Sequence, residues 1–239
     1  MGKVALITGS AVRIGHEIAT HLAGLGWDLA LHYSTSSNAI FKFISELRST
    51  YPEQQFFAFK ADFTKIDQTQ DVIREVFEQF SKLDLLVNNA SVFEPSSLRE
   101  TSADLVIRQM MVNWISPLVL IRDYADYSNN GLIINIVDTR ITNNRSDYLA
   151  YSLSKKSLWE LTKMAALELG PHFRVNAIAP GAVLPPVGKD RSYLDEVALT
   201  TPMKKPSGID PILKSIEYII ENQDLTGQLI FCNGGSHLF

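Results

Sequence analysis

The chain has 239 residues, 46% of them apolar and 20% charged, which is the make-up of a soluble globular protein with a large core. A net charge of −4, with no basic block or acidic tail, excludes a surface built to coat nucleic acid. The single Cys232 excludes an internal disulfide, and the five histidines lack the acid or Cys cluster that a metal site needs.

Lys3 to Ile7 is a β-branched, apolar run broken by Thr8-Gly9-Ser10, and Ile14, Ile18, Leu22 and Leu25 then recur at helical spacing. A strand, a glycine turn and a helix in that order begin a βαβ unit. Asp28 to Tyr33 reads as the second strand, followed by a polar turn and a helix to about Arg48. Gln55 to Lys60 gives a third strand, with Asp62 just past its end, and Gln68 to Phe80 is helical. Leu83 to Val87 is the fourth strand, and one long helical region spans about Ala103 to Tyr127. Gly131 to Val137, Phe173 to Ile178 and Gln228 to Cys232 complete about seven strands, with helices over Tyr148 to Leu169 and Ile209 to Asn222. Strands alternating with helices predict a single α/β domain over 1–239, a doubly wound parallel sheet of Rossmann type with helices on both faces. The proline-rich stretch from Ala179 to Ser207 reads as irregular, and its 182–206 portion is too long for an ordinary connection, so a substrate loop is expected there. No apolar run appears long enough to span a bilayer, the apolar start is too short for a signal peptide, and Leu6 breaks the myristoylation pattern after Gly2. A cytoplasmic protein without a membrane or nucleic-acid partner is the expectation.

Chemistry gathers first around Asp138, Tyr151 and Lys155. Tyr151 and Lys155 stand one helical turn apart on one face, where an ammonium would favour the phenolate. Asp138 ends the preceding strand, at the edge where open α/β sheets bind ligands. The three read as a Tyr proton donor, tuned by a Lys and accompanied by a carboxyl group. Gly9 and Gly15 flank the first βα turn as a tight bend and a close helix contact, placing a pyrophosphate at the helix N-terminus near Arg13 and Ile14. After the second strand come His32, Tyr33 and Ser34 without the acid that selects NAD, which favours a 2′-phosphate and hence NADPH, with NADH as the alternative. No Arg or Lys stands at Thr35 to strengthen that choice. Asn88, Asn89, Ala90 and Ser91 follow the fourth strand, and Phe93 offers a ring for stacking on a flat heterocycle.

The set Thr8-Gly9, Arg13, Gly15, Asn88 to Ser91, Asn113, Tyr151 with Lys155, and Pro180-Gly181 resembles the short-chain dehydrogenase/reductase family over essentially the whole chain. Most members carry Gly where Arg13 stands and Ser where Asp138 stands. Both departures, with His32-Tyr33 and the Asn-Ala-Ser-x-Phe run ending at Phe93, look like pteridine reductases and bacterial dihydromonapterin reductases. The resemblance implies a pterin or folate substrate lying between a nicotinamide and Phe93, with Arg13 and Ser91 on its polar edge. It also implies proton donation by Tyr151, with Asp138 positioning that donor, Lys155 holding the nicotinamide ribose and lowering the Tyr151 pKa, and Asn113 maintaining a proton-relay water. Asp62, Asn89, Ala90, Pro180 and Gly181 would line the cofactor, and a homotetramer through the two long helices is the family habit. A short-chain carbonyl reductase is the alternative function, and an inactive nucleotide-binding regulator a third.

Overall fold

The computed structural model describes residues 2–144, 146–185, 190 and 192–239. Its strands are β1 Val4–Ile7, β2 Asp28–Tyr33, β3 Phe56–Lys60, β4 Leu85–Asn88, β5 Gly131–Ile136, β6 Phe173–Pro180 and β7 Leu229–Cys232. All pair parallel in one sheet of order β3-β2-β1-β4-β5-β6-β7. The chain leaves β1 toward β2 on one side and returns as β4 on the other, so the crevice at this reversal is where an open α/β sheet binds ligands.

Helices α1 Arg13–Gly24, α2 Ser37–Thr50, α3 Ile66–Phe80, α4 Ala103–Met110, α5 Ser116–Tyr127, α6 Leu149–Leu169, α7 Ser192–Leu199 and α8 Asp210–Glu221 cover the sheet. Side chains alternate between the faces of a strand. In β1, Ala5 and Ile7 join Ile18, Leu22, Ile40 and Ile216 on one face, while Val4 and Leu6 join Val72, Ile73, Leu120 and Tyr124 on the other. Each such Leu or Ile, fully removed from water, contributes roughly 1.5–3 kcal/mol.

Two expectations need correction. The helix from Ala103 to Tyr127 is 25 residues long and holds an 18-residue window with a mean hydropathy of 1.3, so among the described residues one helix is in fact long and apolar enough to cross a membrane. Its apolar side chains serve the core, because it packs against α3 and α6 and buries Val119, Leu120, Ile121 and Tyr124. It is also interrupted by a π-helical turn at Met111–Ile115, centred on the buried Asn113. The second correction concerns the stretch read as irregular, which contains α7. Leu194 and Ala198, one turn apart, are buried there, a two-turn signal too brief to stand out among prolines. Residues 186–189 and 191 of the expected substrate loop lie outside the described residues.

Candidate active site

Parallel strands put all their carboxyl ends on one edge, which gathers the turn after β1, the segment after β4, Asp138 after β5 and Pro180 at the end of β6. The first turn is built around its glycines. Gly9 has φ +65°, a left-handed backbone that glycine adopts without strain, and a Cβ there would stand 3.0 Å from the Ala90 Cα. At Gly15 a Cβ would fall 2.2 Å from the Gly9 carbonyl oxygen and 2.6 Å from Asn89 Nδ2, so no other residue lets α1 approach so closely. The N-cap of α1, Val12, provides no side-chain bond. Helix N–H groups therefore face the crevice, a cradle that fits a pyrophosphate-bearing ligand.

Thr8, overlooked as a site residue, ties this turn to β4. Its hydroxyl accepts from the Asn89 and Ala90 N–H groups, both at 2.9 Å, and Asn89 Nδ2 returns a bond to the Thr8 carbonyl at 2.9 Å. Its signal was in the Thr-Gly pair itself. Asn89 and Ala90 thus shape the crevice floor, and Ile14 is partly buried against the core beneath it. Arg13 is exposed and has φ +58°. A non-glycine residue in that region costs about 1–2 kcal/mol, and its guanidinium donates to the Pro185 carbonyl at 3.2 Å, joining the nucleotide turn to the start of the substrate loop.

The side chains of His32 and Tyr33, expected to contact the cofactor, are buried. His32 is 2% exposed and stacks on Phe63 at 4.0 Å. Its Nδ1 accepts from the Gly9 N–H at 3.0 Å while Nε2 donates to the Ala61 carbonyl at 3.1 Å. Burial lowers its pKa to about 4, so the neutral ring serves as a strut between β1 and β3. Tyr33 is buried in the core beside Phe41. Ser34 does line an open cavity of about 360 Å³, together with Thr35, Ser37, Lys60, Asp62 and Lys65. Asp62 accepts from the Thr64 N–H at 3.0 Å and from its hydroxyl at 2.8 Å, and these bonds hold its carboxyl below the usual range. Lys60 and Lys65 supply the positive charge that the residues after β2 lack. They have no signal near β2 because Lys60 ends β3 and Lys65 follows it, and only the register of β2 beside β3, with Tyr33 opposite Lys60, brings the two strand ends together.

At the centre, the Tyr151 hydroxyl donates to Asp138 Oδ2 at 2.8 Å, and Asp138 Oδ1 accepts from the Arg140 N–H at 2.8 Å. Both carboxylate oxygens are therefore fixed. Tyr151 is 6% exposed, and burial first, then the Asp138 charge and hydrogen bond, raise its pKa well above the phenol range; Arg140 and a Ser91 hydrogen bond oppose the rise. The expected lowering by Lys155 is not what this geometry produces. Lys155 Nζ donates to the Ile136 carbonyl at 2.8 Å and stands 5.9 Å from the Tyr151 ring centroid, whereas the carboxylate touches the hydroxyl itself. Burial lowers the Lys155 ammonium to about 8, partly countered by Asp138.

Asn113 reaches none of these groups with its side chain. Its Oδ1 accepts from the Val92 N–H at 2.9 Å, and its Nδ2 donates to the Val92 carbonyl and the Ser154 hydroxyl, each at 3.0 Å. Ser154 in turn donates to the Tyr151 carbonyl at 2.7 Å. The π-helical turn places Asn113 where it clasps the Ser91–Phe93 segment to α6. Ser96 completes that join by accepting from the first N–H groups of α6, Leu149 to its carbonyl at 2.9 Å and Ala150 to its hydroxyl at 3.2 Å. Phe93 is nearly half exposed, with its ring 4.6 Å from Tyr151 and close to perpendicular to it. Pro180 and Gly181 close the edge through the Thr139 hydroxyl donating to the Pro180 carbonyl at 3.0 Å and the Gly181 N–H to Cys232 at 2.9 Å. Asn233 braces Thr139 at 3.0 Å, a contact with no signal in the sequence.

The family model described as short chain dehydrogenase matches residues 3–193. Among curated proteins, a 3-oxoacyl-[acyl-carrier-protein] reductase FabG of Staphylococcus epidermidis is 28% identical, with 100% of both chains covered. Among solved structures, FolM alternative dihydrofolate reductase 1 from Brucella suis, in complex with NADP, superposes with a TM-score of 0.90 at 28% identity, covering 99% of this chain and 96% of that one. A blue fluorescent protein from a metagenomic library, in complex with NADPH, gives a TM-score of 0.90 at 27% identity over 98% of each chain.

Proposed function

The chain belongs to the short chain dehydrogenase family and is an oxidoreductase; from its site we propose an NADPH-dependent reductase of a pterin, of the dihydromonapterin, dihydrobiopterin or dihydrofolate type. The observation that carries this reading is the 2.8 Å bond from the Tyr151 hydroxyl to Asp138, where most of the family has a serine hydroxyl. A carboxylate in that position keeps the phenol protonated, ready to donate to a basic ring nitrogen. Arg13 and Phe93 near the same crevice suit the polar edge and flat face of a pterin, and the likeness to a FolM structure agrees. A second reading, a carbonyl reductase, is favoured by the likeness to FabG.

A reduced nicotinamide bound in the crevice supplies the hydride. Tyr151 holds the proton at its hydroxyl and gives it to the nitrogen of the C=N bond as the neighbouring carbon is reduced. Proton loss leaves a phenolate beside the Asp138 carboxylate, an unfavourable pair that favours reprotonation from solvent. Lys155, fixed on the Ile136 carbonyl, presents its ammonium beneath the same site for the ribose hydroxyls. The exposed Leu153, Met164 and Leu167 on α6 suit the homotetramer the resemblance implies.

NADPH oxidation measured against dihydromonapterin, dihydrobiopterin, dihydrofolate and a 3-oxoacyl thioester tests the substrate. Fastest turnover, by kcat/KM, is expected on a dihydropterin, and a large excess for the thioester overturns the proposal. Cofactor choice has its own test. Lys60→Gln combined with Lys65→Gln is expected to weaken NADPH binding roughly tenfold through lost charge-assisted contacts to the 2′-phosphate, with NADH binding unchanged. Calorimetric titration with both cofactors would show equal weakening if the two lysines do not read that phosphate.

A further inference from the structure

Behind Phe93 the structure holds a column that the chemistry above does not use. The Phe93 ring lies 4.1 Å from the Tyr148 ring, within 4° of parallel. On the Tyr148 ring sits the Arg140 guanidinium, 4.8 Å from its centroid. That guanidinium is itself pinned, with NH2 donating to Asp147 Oδ2 at 2.9 Å and NH1 to Asp147 Oδ1 and the Asp147 carbonyl, each at 3.1 Å. Only 16% of the Arg140 side chain is exposed. Tyr148 has φ 57° and ψ 43°, a left-handed backbone that a bulky aromatic residue seldom adopts. Strain of this kind persists only where the surroundings over-determine it, and here it turns the ring into the stack.

We propose that Arg140 and Tyr148 are positioning residues that fix Phe93 as a rigid stacking platform, so that the site selects flat conjugated heterocycles over compact carbonyl compounds. This rests on the reading of the site as a pterin reductase and names how it discriminates. A free Phe93, exposed at a crevice mouth, would sample several rotamers and lose that freedom on stacking. A ring already ordered by a cation–π and a stacked contact has less to lose. Arg140 is not a substrate ligand in this scheme, since its planar fork is spent on Asp147. Its other ties are the backbone N–H that holds Asp138 Oδ1, which a side-chain substitution leaves in place, and the charge it sets beside Asp138 and Tyr151, which Arg140→Lys retains.

The test measures the Kd of an oxidised pterin by quenching of pterin fluorescence, alongside KM and kcat for a dihydropterin and the Kd of NADPH. Tyr148→Ala and Arg140→Ala are each expected to raise the pterin Kd and the dihydropterin KM about tenfold with NADPH binding retained, and in Tyr148→Ala kcat stays within about threefold. Tyr148→Phe, which keeps the ring, is expected to hold the pterin Kd within about threefold, and Arg140→Lys, which loses the planar fork, to fall between. If Tyr148→Ala does not fold, Tyr148→Leu fills the volume without a flat face and carries the same expectation. Pterin binding by the unaltered chain together with an unchanged Kd in the Ala variants overturns the column and leaves the pterin reading standing. Failure of the unaltered chain to bind any pterin overturns both.

Discussion

Tyr151→Phe is expected to lower kcat on a dihydropterin by roughly a thousandfold, within the usual range for loss of a general acid, while the Kd of NADPH changes less than about threefold. The change removes one oxygen atom, and that atom is both the proton store and the donor to Asp138 at 2.8 Å. The ring stays in place, because it is packed beside Phe93 and held from behind by the Ser154 bond to its carbonyl. Stopped-flow measurement of a single turnover isolates the chemical step from product release. A variant retaining even a tenth of the normal single-turnover rate would remove Tyr151 from proton transfer. The raised pKa adds a pH expectation with a definite sign: the protonated phenol is the working form, so raising the pH through the ordinary phenol range does not remove the donor.

Lys155→Met is expected to abolish activity yet stabilise the fold at neutral pH. Burial lowers the ammonium from its ordinary 10.5 to about 8, which corresponds to about 3 kcal/mol of destabilisation while the group is charged. The folded pKa lies below the unfolded one. The penalty is therefore complete below pH 8, fades as the unfolded chain alone holds the proton between 8 and 10.5, and vanishes above that. Methionine fills a similar volume without charge but forfeits the bond to Ile136, which costs about 1 kcal/mol. A net gain of about 2 kcal/mol at pH 7, shrinking to a small loss above pH 10.5, is the expected profile in denaturant titrations. A variant less stable than the unaltered chain at pH 7 would mean that the ammonium is well compensated where it lies. The gain would be the counterpart of a function that needs a cation in a dry place.

Local pattern was enough to find the strands, because parallel strands covered on both faces must be almost wholly apolar, as Val4–Ile7 and Leu85–Val87 are. The Tyr151 and Lys155 pair was equally legible, since helical periodicity alone puts both on one face. The π-helical turn at Met111–Ile115 was not, because its residues continue the helical pattern and only the packing of Asn113 onto Val92 rewards the extra backbone residue. The surroundings of His32 were hidden for a related reason, since the register of β1, β2 and β3 buries its ring between two backbone partners.

What the sequence by itself determined is the order of the seven strands, the glycine turn at Gly9 to Gly15, and the placing of Tyr151 and Lys155 on one helix face, all of which depend on spacing within a few residues. Tertiary structure alone decided the rest: that burial and Asp138, rather than Lys155, set the direction of the Tyr151 pKa, that Lys60 and Lys65 stand beside Ser34, and that Arg140 and Tyr148 back Phe93. Hydrogen bonds and ring stacking act only at contact and a charge pair weakens steadily with separation, so their outcome depends on distances between elements far apart in the chain, which no local pattern encodes.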